Sequence, residues 1–536
     1  MTSSTTPPLA ERRFLPSWWP LAGLFALLLL LAALRPLALP DEGRYGEVGR
    51  WMAASGDWLA PRLNGLPFFH KPPLLYWLEA ASVTLFGATP WALRLVPALH
   101  AGLMLMALFG AVRALGRFSG DAAGGARLAR SAALMLAASP AFLLGGQYVN
   151  HDMVVATWIS VSIWCFALAF LRADARRRPQ PALALMGFAA CALGVLSKGL
   201  IGLVLPGLVL FIWLLWTRRF GLVWRLPWLR GLLLFAAIAV PWFVLAERRF
   251  PGMVNYMFGV QQFTRYTSSG GFNNVQPWWF YLPCLVLLLF PWALFALAQA
   301  VAQVRRRALP AAQGTQGAAA LPRELLSLCW IWIAAIVGFF SIPQSKLVGY
   351  VLPVMPPLAL LAAAGWQRYM TKRRTAPLWG AALAVLALAI VCTVNVMAGR
   401  HSSRASTQGI AHYLARAAAP GDALYIVGGY PYDLAFHARL QRPPIVVQDW
   451  ASQRVTAGDV WQRELFEAGD FDPAQAAQVL QSPPAALQAA STAPRAWVVA
   501  PADRGAGLDG LRRVTQDGYW VLYASPALAA ALGNAQ

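Results

Sequence analysis

At 536 residues, 58% of them hydrophobic and only 12% charged, the chain is too apolar for a soluble multidomain protein. A formal net charge of +22 suggests nucleic acid, but the placement of the charges excludes it. Half of the 44 Lys and Arg lie in short segments between apolar stretches, whereas residues 400–536 hold equal numbers of acids and bases.

Stretches of roughly 17–25 apolar residues, enough to cross ~30 Å of hydrocarbon, begin near Trp18, Trp91, Ser131, Met153, Pro181, Leu200, Gly231, Trp278, Leu325, Leu347 and Ala376. This predicts an all-α membrane region of about eleven transmembrane helices. The first stretch follows Arg12 and Arg13 and is expected to stay as an uncleaved anchor. With the N-terminus in the cytoplasm, every second connection is arginine-rich, for example Arg113 to Arg130, Arg218 to Arg230 and Arg368 to Arg374. These connections carry few acids, among them Asp121 and Glu324, which is the positive-inside pattern of a bacterial inner-membrane protein. The five cysteines all fall within apolar stretches, so neither disulfides nor a zinc site is expected.

The outer loop Pro40 to Pro90 is long and contains two amphipathic patches, Glu42–Ala54 and Pro73–Phe86, expected as interfacial helices. A second outer loop, Glu247 to Pro277, places Tyr256, Phe258, Phe263 and Tyr266 beside a Ser-Ser-Gly-Gly tract, the composition of a substrate-contacting lid. After residue 399 the pattern changes to short apolar runs at Ala423–Val427, Pro444–Val447, Ala496–Ala500 and Tyr519–Tyr523, with a helix over Ala405–Ala418. The chain thus divides into a membrane region, 1–399, and an extracytoplasmic α/β domain, 400–536. Gly428-Gly429 lacks the spacing of a nucleotide-binding loop and reads as a turn.

The ionisable residues outside the arginine-rich connections gather on the opposite, periplasmic face. Asp41 and Glu42 follow the first apolar stretch, and Asp152 opens the fourth. Either could merely cap a helix, but carboxylates at a membrane edge are costly without a task. Arg44, Lys71, Lys198, Arg265 and Lys346 collect on the same side. Snorkelling explains each one singly. Lys198, however, occupies a tight turn between two apolar stretches, where a neutral polar residue would be cheaper, and a phosphate is its natural partner. Carboxylates and cations at a bilayer surface suit an amphiphile with a phosphate head and a greasy tail. His70 and His151 share this face, but no three histidines form a metal set.

The runs Asp41-Glu42-Gly43-Arg44-Tyr45-Gly46-Glu47, Ala54-Ser55-Gly56-Asp57-Trp58 and Phe69-His70-Lys71-Pro72-Pro73-Leu74-Leu75-Tyr76-Trp77 closely resemble the first outer loop of the bacterial lipid A aminoarabinose transferases. Those enzymes are relatives of the protein O-mannosyltransferase-like GT-C glycosyltransferases. Leu196-Ser197-Lys198-Gly199, Pro277-Trp278-Trp279-Phe280-Tyr281 and Ser345-Lys346-Leu347-Val348-Gly349-Tyr350 resemble the later signatures of the family. The resemblance implies a GT-C fold and an inverting transfer, independent of metal or other cofactor, from an undecaprenyl phosphate-linked sugar to lipid A or another envelope glycan or protein. It implies catalytic roles for Asp41 and Asp152, with Arg44, Lys71, Lys198, Arg265 and Tyr350 holding the donor phosphate or head group. Glu42, Tyr45, His70, Tyr76, Gln262 and Lys346 are the candidate substrate contacts. Where the family reads Phe-Glu-Lys-Pro this chain has His70, and where it reads Glu-His-x-x-Arg-Phe it has Gln261-Gln262-Phe263-Thr264-Arg265-Tyr266. Both changes remove acids that an amino sugar would favour. An O-mannosyltransferase-like enzyme and a lipid-linked sugar transporter or flippase are the alternatives, although a transporter would want its charges near the bilayer midplane.

Overall fold

The computed structural model describes residues 18–173, 178–264, 274–308, 322–370, 373–504 and 507–533. Arg12, Arg13, Arg265, Tyr266 and the Ser-Ser-Gly-Gly tract lie outside them. In hydrocarbon each backbone N–H and C=O must find its partner within its own segment, so the apolar stretches become helices. The first ten helices are α1 (Trp19–Ala33), α2 (Asp41–Ser55), α3 (Leu74–Phe86), α4 (Pro90–Phe118), α5 (Ala122–Ala137), α6 (Pro140–Gly145), α7 (His151–Leu171), α8 (Pro181–Lys198), α9 (Ile201–Trp216) and α10 (Trp228–Arg249).

Among the described residues, seven helices are long and apolar enough to cross a membrane: α4, α7, α8, α10, Arg323–Ser341, Val348–Tyr369 and Ala376–Ala405. An eighth span forms if Tyr281–Leu288 and Ala293–Arg305 count as one, although the pair is bent by 117°. The remaining expected spans are helical but short or broken. α1 and α9 have 15 and 16 residues, and the stretch from Ser131 is divided between α5 and α6 at Ser139-Pro140. There the Ser139 hydroxyl caps the new helix and the proline cannot continue the old one. α7 lies at the centre of the membrane region, buried on nearly every face, with Trp164 edge-on to Trp332 at 5.3 Å. Ala376–Ala405, by contrast, leaves most of its apolar surface outward, as a lipid-facing helix does.

Both amphipathic patches of the first outer loop form helices, α2 and α3, joined through the two-stranded hairpin β1 (Arg62–Leu63) and β2 (Leu66–Pro67). α2 is pinned by Glu42, which is completely buried. Arg35 donates to its carboxylate at 2.6 and 2.9 Å and Arg94 at 2.6 and 3.0 Å, while the N–H groups of Ala38 and Val149 donate at 2.6 and 3.1 Å. Burial pushes this carboxyl up, but the two arginines outweigh burial and hold it at about 2. Glu42, expected as a substrate contact, is instead an internal anchor with both oxygens occupied.

The C-terminal residues form a six-stranded mixed sheet flanked by helices. Its order is β5 (Leu480–Gln481), β4 (Ile445–Val447), β3 (Ala423–Val427), β6 (Ala496–Pro501), β8 (Trp520–Ala524), β7 (Arg512–Asp517). β3 is parallel to β4 and β6, and the β6–β8–β7 edge is antiparallel. The four expected strands are present, while the two-residue β5 and the polar β7 are additional. This sheet does not close its core alone. Val48, Met52, Leu63, Phe68 and Tyr76 of the outer loop pack into one cluster with Ile410, Tyr430, Trp497 and Trp520. Each such large side chain contributes roughly 1.5–3 kcal/mol when buried, so loop and domain stand as one layer over the membrane helices.

Candidate active site

Asp41 is the first residue of α2, so its side chain leaves the helix about 100° away from that of Glu42. Glu42 turns inward to the arginines, and Asp41 stays one-third exposed. One Asp41 oxygen pairs with Arg44 a turn later, and the other accepts from the Tyr148 hydroxyl at 3.1 Å. The second terminal nitrogen of Arg44 pairs with Glu464 of the C-terminal domain, whose other oxygen accepts from the Tyr432 hydroxyl at 2.7 Å. Burial alone would weaken the Arg44 cation. Glu464, Tyr45 and Asp41 reverse this and hold it well above the ordinary arginine range.

Asp152 and Lys198 meet because two adjacent helix ends meet. Asn150 caps α7, accepting from the Asp152 N–H at 2.9 Å, and Asp152 stands in the first turn, where the helix dipole favours an anion. Lys198 ends the adjacent α8, where the dipole favours a cation, and Gly199 with φ +86° terminates that helix. The two side chains pair directly, Asn150 also donates to Asp152 at 2.9 Å, and the Lys198 ammonium lies 4.6 Å from the centre of the Tyr350 ring. Gly349 allows this approach, since a Cβ there would stand 2.2 Å from an Asp152 oxygen. Asp152, Lys198, Ile201, Phe340, Gly349 and Tyr350 line a small pocket. The pocket is charged at Asp152 and Lys198 and apolar along Val155, Ile159, Ile201, Leu205 and Phe340.

An aromatic bridge joins the two carboxylates. The Tyr45 ring lies 4.7 Å from the Arg44 guanidinium and 4.9 Å, edge-on, from the His151 ring. His151 precedes Asp152, and its ring nitrogens lie 2.7 Å from the Ser197 carbonyl and 3.3 Å from the Tyr76 hydroxyl. Burial pushes the Tyr45 phenol up; Arg44 opposes this, while Asp41, Glu464 and Asp152 add to it. Tyr45 is therefore a neutral hydrogen-bonding group between the two acids. Arg44 approaches His151 through the Tyr45 ring, and Lys198 follows Ser197, whose carbonyl the His151 ring meets, so the two cations come to this point from different elements.

The remaining candidates divide into those that face this point and those used internally. The Lys71 ammonium donates to the His70 carbonyl at 3.0 Å, and the His70 ring stacks on Phe68 at 4.3 Å and lies 3.9 Å from Glu467. Tyr76 is fully buried, with its hydroxyl toward His151. Lys346 is only 4% exposed and donates to the Gln276 and Pro343 carbonyls at 3.0 and 2.5 Å; it fastens its loop and does not reach outward. Gln262 accepts from the Leu200 N–H at 2.9 Å, closing the turn before α9. Arg265 lies outside the described residues. Glu464 and Glu467 were not anticipated. They come from the helix Trp461–Gly469, Glu464 meeting Arg44 and Glu467 lying beside His70, one of the positions where the resembled family carries an acid. Among the described residues, no three His, Cys, Asp or Glu side chains are grouped to hold a metal ion.

A helical membrane body, a pinned amphipathic outer loop and an α/β layer that shares the core of that loop define a membrane protein of GT-C fold. The protein is similar to ArnT from Cupriavidus metallidurans bound to undecaprenyl phosphate, with a TM-score of 0.77 and 27% identity over 95% of this chain and 98% of that one. The apo form of the same ArnT gives a TM-score of 0.76. Residues 25–257 match the dolichyl-phosphate-mannose-protein mannosyltransferase family. An undecaprenyl phosphate-alpha-4-amino-4-deoxy-L-arabinose arabinosyl transferase of Sodalis glossinidius is 33% identical over 66% of this chain and 60% of its own length. One from Aeromonas salmonicida is 32% identical over 64% and 58%. These matches span about three-fifths of the relatives' length. The chain therefore has the fold of ArnT and is similar in sequence to the aminoarabinose transferases over its membrane region.

Proposed function

We propose that the protein is a glycosyltransferase of the bacterial inner membrane, with its N-terminus in the cytoplasm and its site and C-terminal domain in the periplasm. It moves a sugar from an undecaprenyl phosphate-linked donor to lipid A or another envelope acceptor. The observation that carries this reading is the convergence around His151 and Tyr45 of two unlike parts: the accessible carboxylate Asp41 paired with Arg44, and the apolar-walled pocket headed by Lys198 and Asp152. A similar protein, ArnT, has been crystallised with undecaprenyl phosphate. In the proposed reaction the donor tail lies along the apolar wall, and Lys198, with Lys71 beside His151, neutralises the phosphate. Asp41 orients the acceptor oxygen and takes its proton where the acceptor is a hydroxyl. That oxygen bonds to the anomeric carbon as the bond to the phosphate oxygen breaks, releasing undecaprenyl phosphate and inverting the configuration.

The test uses the purified full chain in lipid vesicles with lipid A, offered undecaprenyl phosphate-linked aminoarabinose and, separately, the mannose analogue. Mass spectrometry should find one sugar added to lipid A by the wild type and none by Asp41→Asn. Equal product from Asp41→Asn would remove Asp41 from the chemistry, and undecaprenyl phosphate failing to bind would remove the donor assignment.

A further inference from the structure

The helix Trp461–Gly469 buries Leu465, Phe466 and Ala468 in the core, which turns Glu464 and Glu467, three residues apart, toward the outer loop on one face. Glu467 accepts from the Tyr256 hydroxyl at 2.5 Å and from Arg463 at 2.6 Å, fastening the second outer loop. Glu464 acts at the site itself. One of its oxygens is taken by Arg44, 420 positions earlier in the chain, and the other by Tyr432. The guanidinium of Arg44 is therefore divided between two carboxylates, and Tyr432, 5.7 Å from it, closes the far side.

We infer that Glu464 is a positioning residue for the proposed reaction: by engaging half of the Arg44 guanidinium it leaves the Asp41 carboxylate oriented yet not fully neutralised. This rests on the reading of Asp41 given above. The charged and titratable groups facing Asp41 are Arg44 and Tyr45 on its own helix, Tyr148 ahead of α7, and Glu464 and Tyr432 from the C-terminal domain. Glu42 points away into Arg35 and Arg94. A single cation shared by two anions leaves each a better proton acceptor than a cation held by one. With Glu464 neutral, the full charge of Arg44 falls to Asp41, which becomes a weaker base in an altered orientation.

The isosteric variant Glu464→Gln, in the reconstituted full chain with undecaprenyl phosphate-linked aminoarabinose and lipid A, should lower kcat by about 10- to 100-fold. Its KM for the donor should stay within about twofold, and its acidic kcat limb should move to lower pH, because Arg44 is no longer shared with a second anion. Glu464→Asp, which keeps the charge, should recover part of the loss. Binding of undecaprenyl phosphate, which belongs to the Lys198 cavity, should not change. The inference is overturned if Glu464→Gln keeps the wild-type kcat and acidic limb. It is equally overturned if the loss of rate merely follows a loss of folded protein at every pH. Asp41→Asn separates the two levels: an active Asp41→Asn overturns the underlying reading, whereas an inactive one beside an unaltered Glu464→Gln overturns only the role of Glu464.

Discussion

Two carboxylate–cation pairs share one face of this protein and are built in opposite ways. Asp152 and Lys198 come from neighbouring antiparallel helices, and their meeting follows from local helix-end chemistry within the membrane region. Asp41 and Arg44 lie within one turn of α2, but their arrangement is completed by Glu464 and Tyr432 from the far end of the chain. The first pair heads a cavity and is suited to holding a ligand. The second keeps Asp41 one-third exposed, and its charge pairing depends on a separate layer of the molecule.

Separate substitutions should keep these two jobs separate. Asp41→Asn should reduce turnover by about 10²- to 10⁴-fold, the usual contribution of a positioned acid–base group, with undecaprenyl phosphate binding unchanged in a filter or fluorescence assay. If binding falls instead, the division between the pairs is lost. Glu42→Gln, one residue away, should act on stability: leaving Arg35 and Arg94 buried without their anion costs about 3–5 kcal/mol, readable as a lower Tm in detergent. Because the folded Glu42 carboxyl is depressed from 4.5 to about 2, its contribution is complete above the ordinary value and disappears as pH falls through that window. The Tm of the wild type should therefore drop on acidification by an amount corresponding to about 3 kcal/mol from this group, and Glu42→Gln should flatten that part of the curve.

Lys198→Met should weaken undecaprenyl phosphate binding by roughly 10- to 100-fold, the size of a lost charge-assisted contact. Gly349→Ala should weaken it in the same direction, because the new methyl group displaces Asp152. An increase in affinity from either would detach the cavity from the donor. The smallest effect is expected from Arg249→Ala. Arg249 pairs with Asp57 at 2.9 Å but is 45% exposed, so its removal should change stability by less than about 1 kcal/mol in the same melting assay.

What could be read along the chain was whatever has a local cause. Asp41 and Lys198 stand out as charges at the ends of apolar stretches, and α2 and α3 as amphipathic patches. Glu42 was misjudged because linear adjacency to Asp41 hides the helical rotation that sends neighbours to different faces. Lys346 reads in sequence as a substrate contact, yet two carbonyl oxygens occupy it, and backbone acceptors have no residue type to reveal them. Glu464 was invisible because a pairing 420 positions apart leaves no periodicity or spacing. β7 escaped because Arg512–Asp517 is largely polar, and an edge strand needs no alternating apolar face.

The late position of Glu464 also bears on biogenesis. Synthesis makes the first outer loop long before residue 464, so a nascent chain carries Arg44 and Asp41 with no Glu464 to divide the cation. The arrangement is thereby deferred until the final stretch has docked on the outer loop, and a chain stalled short of that point would lack it.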